Sequence, residues 1–260
     1  MPELSVTATE NLIMTAVKAE GETTIKLAAA EPHVQDLCKF LNKMGAKIRG
    51  LGTHTLTIKG TKTLKGTKYR VTGDYLEAGT FAVAAAITNG DVRIKGILTE
   101  HLDSFWQKLR EAGVKFTLTP TEAHIQGYEK LKAVKTLRTA VFPSFPTDLQ
   151  APFSVLLTQA KGVSKVFETL FEGRLNYLAE LERMGAKIEL LNPHQALIIG
   201  PTKLKGMPIS SYDIRAGAAM IIAALSARGE TEISNINYLD RGYEKLDEKL
   251  RKLGAQIKRY

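Results

Sequence analysis

The sequence predicts an α/β protein made of four copies of one βαβαββ repeat. A short motif centred on glycine returns at spacings of 68, 72 and 69 residues, and its glycines are Gly45, Gly113, Gly185 and Gly254. A second glycine closes an alanine-rich or apolar segment in each copy and stays in phase with the first, at Gly21, Gly90, Gly162 and Gly229. Two markers in phase indicate an internal repeat.

Each repeat contains two kinds of predicted helix. Residues 81–87 and 216–225 are apolar on every side, which predicts helices that are buried all round. Residues 239–253 instead place apolar side chains at intervals of four and three with charged residues between them, which is typical of an amphipathic helix. One helix should therefore pack inside the protein and the other should lie at its surface.

Strands complete the repeat. Residues 91–95 alternate β-branched and polar side chains, which is typical of a strand. The first glycine marker is expected to end the amphipathic helix as its C-cap. In the third repeat, strands at 187–190 and 196–199 should follow, joined by a turn at 192–194. A repeat of this size is too small for a comfortable domain, so several should share a core of their buried helices.

The composition is that of an ordinary globular chain, with 44% hydrophobic and 24% charged residues. No apolar stretch approaches the roughly 20 residues that span a bilayer, and no secretory signal is visible, so we expect a cytoplasmic protein. Cys38 is the single cysteine, and its helical apolar spacing places it in a core. The net charge of +9 favours anionic partners.

Seven motifs, in order along the chain, resemble those of the UDP-N-acetylglucosamine 1-carboxyvinyltransferase family of enolpyruvyl transferases. They are Ala8-Thr9-Glu10-Asn11, Glu31-Pro32, Leu76 to Thr80, Phe145 to Ala151, Phe171 to Arg174, Asp213 to Ala218 and Asp240 to Glu244. The resemblance implies an inside-out α/β barrel, in a family of two domains with three repeats each. Four of these six repeats are present. Residues 1–72 would then be a remnant repeat of the first domain, and residues 73–260 the second domain.

The resemblance also implies a reaction. The family transfers the enolpyruvyl group of phosphoenolpyruvate to the 3-hydroxyl of UDP-N-acetylglucosamine, the first committed step of peptidoglycan synthesis, with no cofactor and no metal. In the family, the part that has no match here supplies a lysine–asparagine pair and the mobile loop with the catalytic acid. We therefore expect an N-terminally truncated form that does not turn over alone.

Asp148 is the candidate catalytic residue. It follows two prolines at the start of the third repeat's buried helix, where Thr147 and Gln150 have the spacing of a capping box. The residues alone favour a carboxylate that only complements the helix dipole. By resemblance, the matching aspartate accepts the proton of the sugar 3-hydroxyl as this oxygen attacks C2 of phosphoenolpyruvate, which is general-base catalysis.

Four further candidates for substrate binding lie near predicted helix starts. Arg241 and Arg174 hold corresponding places in two repeats, where a guanidinium and free backbone N–H groups suit a phosphate, although an exposed arginine is usually a solvated charge. The resemblance makes Arg241 a phosphoenolpyruvate ligand, and makes Arg174 an arginine that either lies in the cleft or supports the residues that contact substrate. Asp213 and Arg215 open the fourth buried helix as Asp148 opens the third. For Asp213, an N-cap with a local salt bridge is the alternative.

Ser5, Val6 and Leu170 are candidates through the resemblance. Ser5 and Val6 match a uridine-binding stretch that usually continues with glycine, where this chain has Thr7. A β-branched residue cannot copy the positive φ of a glycine cheaply, so we expect Thr7 to disturb the fit of the nucleotide. Leu170 matches an aliphatic contact to the nucleotide sugar, and its side chain would suit a strand equally well.

Two other classes of function stay open. Five basic residues cluster in one segment and could bind nucleic acid; they are Lys59, Lys62, Lys65, Lys68 and Arg70. Tyr69 is the one aromatic nearby that could stack on bases, so a solvated loop is the simpler interpretation and nucleic acid is not an expected partner. The other class is a non-catalytic fragment that keeps the fold and some ligand contacts. The five histidines lack metal-ligand spacing, and no metal site is expected.

Overall fold

A computed structural model describes all 260 residues. The chain divides into two compact lobes. The first lobe holds Met1–Gly73 with Val141–Pro143, and the second holds Asp74–Ala140 with Ser144–Tyr260. It stays a prediction that residues 1–72 are a remnant repeat of one family domain and that residues 73–260 are a complete second domain.

The first lobe is one repeat, in which two helices pack against a three-stranded antiparallel sheet. Its elements are α1 (Val6–Lys18), β1 (Glu22–Lys26), α2 (Pro32–Lys43), β2 (Lys47–Arg49) and β3 (Thr55–Lys59). The strand order is β1-β3-β2. Ile13, Cys38 and Ile58 are fully buried in the core between helices and sheet, which confirms the predicted place of the cysteine.

The second lobe contains the other three repeats. Its helices are α3 (Tyr75–Ile87), α4 (Asp103–Glu111), α5 (Gln150–Thr158), α6 (Leu178–Arg183), α7 (Ile214–Ser226) and α8 (Leu246–Lys252). Its strands are β4 (Val92–Lys95), β5 (Val114–Thr119), β6 (Glu122–Tyr128), β7 (Thr136–Arg138), β8 (Gly162–Phe167), β9 (Lys187–Asn192), β10 (Gln195–Gly200), β11 (Ile209–Ser210) and β12 (Ile233–Ser234). They form three sheets, ordered β4-β6-β5, β7-β8-β10-β9 and β11-β12.

The predicted α/β repeat is confirmed, and the third copy shows all six elements as β7-α5-β8-α6-β9-β10. The other copies are shorter. The first and second have no opening strand, and the fourth has no hairpin after α8. The first-marker glycines end their helices as predicted, and all four have positive φ, between +86° and +106°. Residues with a side chain rarely adopt such a backbone, which explains why glycine recurs there.

The buried helices of the three repeats share the core of the second lobe. Helices α3, α5 and α7 contact one another, and nearly every residue of α3 and α5 is buried. The contact is close at Gly79 of α3, where an added Cβ would lie 2.3 Å from Cδ1 of Leu149. Leu149 precedes α5 directly and is fully buried. The start of α5 is therefore fixed by its packing on α3.

The predicted amphipathic helix over 239–253 is only partly correct. A 3₁₀ segment covers Ile236–Arg241, and α8 begins five residues later at Leu246. The interruption has two physical causes. Gly242 lies against α7, since an added Cβ would lie 2.7 Å from Cγ2 of Ile214, and Lys245 has a φ of +49° that no continuous helix allows. None of the helices in the structure is long and apolar enough to cross a membrane.

Candidate functional site

The candidate site is built around the carboxylate of Asp148. Asp148 lies in the 3₁₀ segment Thr147–Leu149, which leads directly into α5. The fully buried Leu149 fixes the position of this segment, whereas the side chain of Asp148 is 30% exposed. A rigidly held carboxylate with one open side can meet a substrate hydroxyl.

Two arginines from distant parts of the sequence meet at Asp148. Nη1 of Arg174 donates to Oδ1 of Asp148 at 3.0 Å. Nε of Arg215 donates to the same oxygen. The side chain of Arg174 is 14% exposed, and its guanidinium lies 4.3 Å from the ring centroid of Phe171. The structure thus brings together three of the predicted site residues, with two positive charges beside one negative charge.

Thr147 does not form the predicted capping box with Gln150, so that part of the prediction is wrong. Its hydroxyl donates to Oε2 of Glu168 at 2.8 Å and accepts from Nη1 of Arg174 at 3.2 Å. Gln150 is buried in the first turn of α5, and no side chain caps this helix. Thr147 lies inside the 3₁₀ segment and is not its N-cap, so its hydroxyl is not placed to cap the helix and bonds to Glu168 and Arg174 instead.

Asp213 is the N-cap of α7. Its Oδ1 accepts from the backbone N–H of Arg215 at 2.7 Å and of Ala216 at 2.9 Å. The N-cap that the local alternative predicted for Asp213 is confirmed, but the local salt bridge predicted with it is wrong, because Asp213 forms no ion pair in the structure. The cap sets the first turn of α7 and with it the place from which the Arg215 side chain reaches Asp148. A direct contact of Asp213 with substrate stays a prediction.

Arg241 and Leu170 are accessible. Arg241 ends the 3₁₀ segment before α8, is exposed, and makes no hydrogen bond or ion pair through its side chain. It is not at the start of an α-helix, because α8 begins only at Leu246. Leu170 is 37% exposed in the loop after β8, and its backbone N–H donates to Oε1 of Glu168 at 3.0 Å. Their predicted ligand contacts are untested.

Ser5 and Val6 lie in the first lobe, at the start of α1. Ser5 is the N-cap, and its hydroxyl accepts from the backbone N–H of Ala8 at 3.3 Å. Thr7 lies inside α1 and does not have a positive φ. The backbone reason for the expected effect of Thr7 is therefore wrong, because a helical backbone does not require glycine there. The effect of Thr7 on nucleotide binding stays a prediction.

Two other features of the first lobe bear on the alternatives. Burial raises the pKa of Cys38 to about 11, so this thiol is not poised for catalysis. Tyr69 packs edge-on against Phe40 and donates its hydroxyl to Oδ1 of Asp36 at 2.8 Å. Stacking of this ring on a base would compete with both contacts, which weakens the interpretation of the basic segment as a nucleic-acid site. No group of three His, Cys, Asp or Glu side chains is placed to hold a metal ion.

Glu168 is the residue of the site that the sequence analysis missed. It is fully buried and bonds to both Thr147 and Leu170. The strand pattern could have located it. Ser164 and Val166 are buried on the inner face of β8, and Glu168, two residues further on, follows the same every-second-residue spacing. A carboxylate in register with a buried strand face predicts a polar contact inside the protein.

Comparisons with known proteins identify the family of this chain. The family model described as EPSP synthase (3-phosphoshikimate 1-carboxyvinyltransferase) matches residues 1–250. The chain is 48% identical over 255 residues to UDP-N-acetylglucosamine 1-carboxyvinyltransferase 1 of Caldanaerobacter subterraneus subsp. tengcongensis, which covers 98% of this chain and 61% of that protein. It is 47% identical over 255 residues to the UDP-N-acetylglucosamine 1-carboxyvinyltransferase of Halothermothrix orenii, with the same coverage. The chain therefore spans about three fifths of the length of these relatives.

Solved structures support the fold class. The enolpyruvyl transferase NikO from Streptomyces tendae superposes with a TM-score of 0.89 at 26% identity, over 97% of this chain and 60% of that one. EPSP synthase from Acinetobacter baumannii superposes with a TM-score of 0.75 at 20% identity, which shows the shared fold alone. The inside-out α/β fold that the resemblance implied is thus confirmed. From the family match over residues 1–250, the chain belongs to the EPSP synthase family of enolpyruvyl transferases.

Proposed function

We propose that this chain carries the part of an enolpyruvyl transfer site that activates the acceptor hydroxyl. In this proposal the acceptor is UDP-N-acetylglucosamine and the donor is phosphoenolpyruvate, as in peptidoglycan synthesis. Asp148 accepts the proton of the sugar 3-hydroxyl while this oxygen forms a bond to C2 of phosphoenolpyruvate and the C2=C3 π bond breaks as C3 takes a proton from an acid outside this chain. Phosphate then leaves C2 and a proton leaves C3, which restores the double bond. The names of relatives at 47–48% identity support the choice of acceptor.

One observation carries the proposal: Asp148 is bound by Arg174 and Arg215 yet keeps almost a third of its side-chain surface exposed. A carboxylate that only complemented a helix dipole would not need two arginines from elsewhere in the sequence. The two guanidinium groups hold the carboxylate in place and offer positive charge to an anionic donor substrate. A proton acceptor beside phosphate-binding cations is what addition of a hydroxyl to an enol phosphate requires.

The chain spans about three fifths of the length of its relatives, so it holds only part of the groups that the proposed reaction needs. The family's lysine–asparagine pair and acid loop have no match in these 260 residues, so we infer that this chain alone supplies the base and the arginines but not the acid. On this proposal it releases no phosphate from the two substrates by itself. Catalysis depends on the complete set of groups held together.

The experiment uses a fusion in which the segment of the Caldanaerobacter relative that this chain does not match precedes Met1. Phosphate release from phosphoenolpyruvate is measured with and without UDP-N-acetylglucosamine. The proposal predicts release that requires the acceptor in the fusion, and none from the 260-residue chain alone. A folded fusion with no release would refute the proposed function and favour a non-catalytic role.

A further inference from the structure

Glu168 is a buried carboxylate without an ion-pair partner. Its side chain has no exposed surface, and no arginine, lysine or histidine lies within ion-pair distance of it. Burial of a charge among neutral groups is costly unless its hydrogen bonds satisfy it. The hydrogen bonds that Glu168 accepts at the edge of the proposed site offset part of this cost, and they hold the donor groups in place.

The two oxygens of Glu168 hold two different segments. Oε2 accepts from the hydroxyl of Thr147 at 2.8 Å, and Oε1 accepts from the backbone N–H of Leu170 at 3.0 Å. Thr147 begins the 3₁₀ segment that contains Asp148, and Leu170 and Arg174 both lie in the loop between β8 and α6. One carboxylate therefore fixes the distance between the segment with the proposed base and the loop with its arginine.

The hydroxyl of Thr147 has one proton, and the hydrogen bond to Glu168 sets the direction of this O–H bond. Because the proton goes to Glu168, a lone pair of Oγ1 is left to accept from Nη1 of Arg174 at 3.2 Å. The same Nη1 donates to Oδ1 of Asp148 at 3.0 Å. Donation to a carboxylate polarises the hydroxyl and makes it a better acceptor for the guanidinium.

We infer that Glu168 is a positioning residue, which acts through the hydroxyl of Thr147 to hold Arg174 against Asp148. The inference rests on the proposed function, in which Asp148 and Arg174 serve enolpyruvyl transfer. Glutamine at position 168 would still accept from the Leu170 amide, but its NH₂ group would face Oγ1 of Thr147. The hydroxyl would then accept from the amide and would lose the carboxylate to which it donates. Without that donation it is less polarised and is a weaker acceptor for Nη1 of Arg174.

The test follows the guanidinium signals of Arg174 by NMR in the full 260-residue chain. In the unchanged protein, two acceptors restrict the rotation of this group, so its Nη–H signals are resolved. Loss of one charge-assisted hydrogen bond should speed this rotation by about tenfold or more, which averages the signals. We expect averaging in Glu168→Gln and in Thr147→Val, resolved signals in Thr147→Ser, and no additional change in the double variant Glu168→Gln/Thr147→Val.

Glu180→Gln is the matched control. Glu180 is also a buried carboxylate of the second lobe, but it bonds to Arg183 and Tyr212 instead. This variant should leave the Arg174 signals unchanged. Resolved Arg174 signals in a folded Glu168→Gln variant would overturn the inference. If Glu168→Gln does not fold, resolved signals in Thr147→Val overturn it in the same way. Since the readout needs no turnover, an inactive fusion would refute the proposed function and leave this result standing.

Discussion

Arg215 donates its Nε–H to Oδ1 of Asp148, although 67 residues separate them in the sequence. Both residues lie at the start of a buried helix, Asp148 just before α5 and Arg215 in the first turn of α7. These two helices are neighbours in the core of the second lobe. The pair therefore links the third repeat to the fourth at the point where the proposed chemistry takes place.

Removal of this link should affect the rate more than the fold. The side chains of Asp148 and Arg215 are about one-third exposed, so Arg215→Gln should cost up to about 1 kcal/mol of unfolding free energy. The transfer rate of the fusion should fall by about tenfold or more, because a charge-assisted hydrogen bond beside the base is lost. Thermal melting and initial rates measure the two effects. An unchanged rate would show that Arg215 has no part in the reaction.

Asp213 should respond to substitution as an N-cap. Asn caps a helix as well as Asp does, so Asp213→Asn should leave the stability within a few tenths of a kcal/mol, whereas Asp213→Ala should cost about 1 kcal/mol. Chemical denaturation of the two variants separates them. If the carboxylate itself contacts substrate, Asp213→Asn should also lower the transfer rate of the fusion at unchanged stability, which pure capping does not predict.

Arg241 differs from Asp213 because its exposed side chain forms no hydrogen bond or ion pair in the structure, so its substitution should not affect stability. As a ligand of phosphoenolpyruvate, it should affect binding alone. Arg241→Ala in the fusion should raise KM for phosphoenolpyruvate by about tenfold to a hundredfold and leave the melting temperature unchanged. Arg228→Ala removes another exposed arginine of the second lobe and is the control. Equal KM values for the two variants would rule out the role of Arg241.

The contact between Gly79 and Leu149 holds the start of α5 in place. A Cβ at Gly79 would lie 2.3 Å from Cδ1 of Leu149, so Gly79→Ala should cost about 1–3 kcal/mol through overpacking. Gly90→Ala is the matched control, since a Cβ there meets its nearest neighbour at 3.4 Å. Thermal melts of both variants test this. Equal stability of the two would show that Leu149 moves freely, and would remove the argument that Asp148 is rigidly held.

In the first lobe, Asp36 ties down the segment that follows β3. Its carboxylate accepts from the hydroxyls of Tyr69 and Thr72. Burial acts to raise the pKa of Asp36, but the hydrogen bonds from Thr72 and Tyr69 together outweigh it, so the pKa lies below the ordinary value near 3.8. Because the pKa of Asp36 is lower in the folded state than in the unfolded state, its ionised carboxylate stabilises the fold at pH values above the unfolded-state pKa. This contribution is lost as the pH falls through the pKa of the folded state.

Asp36→Ala should therefore cost about 1–2 kcal/mol at pH 7, and this cost should shrink below about pH 4. The variant should also be cut faster by trypsin at Lys68 and Arg70, which flank Tyr69. Thermal melts across pH and digestion at neutral pH measure these effects, with Glu20→Ala as an exposed control in the same lobe. A cost that does not depend on pH would mean that the charge of Asp36 is irrelevant.

The sequence predicted the repeats, the buried helices and the glycine C-caps because these follow from short-range patterns. It also located Asp148 and its two arginines as candidates, through the resemblance of their motifs. It could not predict that Thr147 bonds to Glu168 rather than capping α5, because this bond depends on a residue 21 positions further along the chain. The break before α8 was missed for the same reason, since the packing of Gly242 on Ile214 is a contact between helices.

The central claim is that Asp148 is the proton acceptor, and one variant of the fusion tests it most directly. Asn is nearly isosteric with Asp, so Asp148→Asn should keep the fold, with a loss of at most about 1 kcal/mol. Its rate should fall by about 10²–10⁴-fold, as expected for the loss of acid–base catalysis, while substrate binding changes much less. Asp91→Asn, an exposed carboxylate of the second lobe, is the control. A marked fall in kcat at an unchanged melting temperature is the predicted result, and a destabilised but fully active Asp148→Asn would contradict the account.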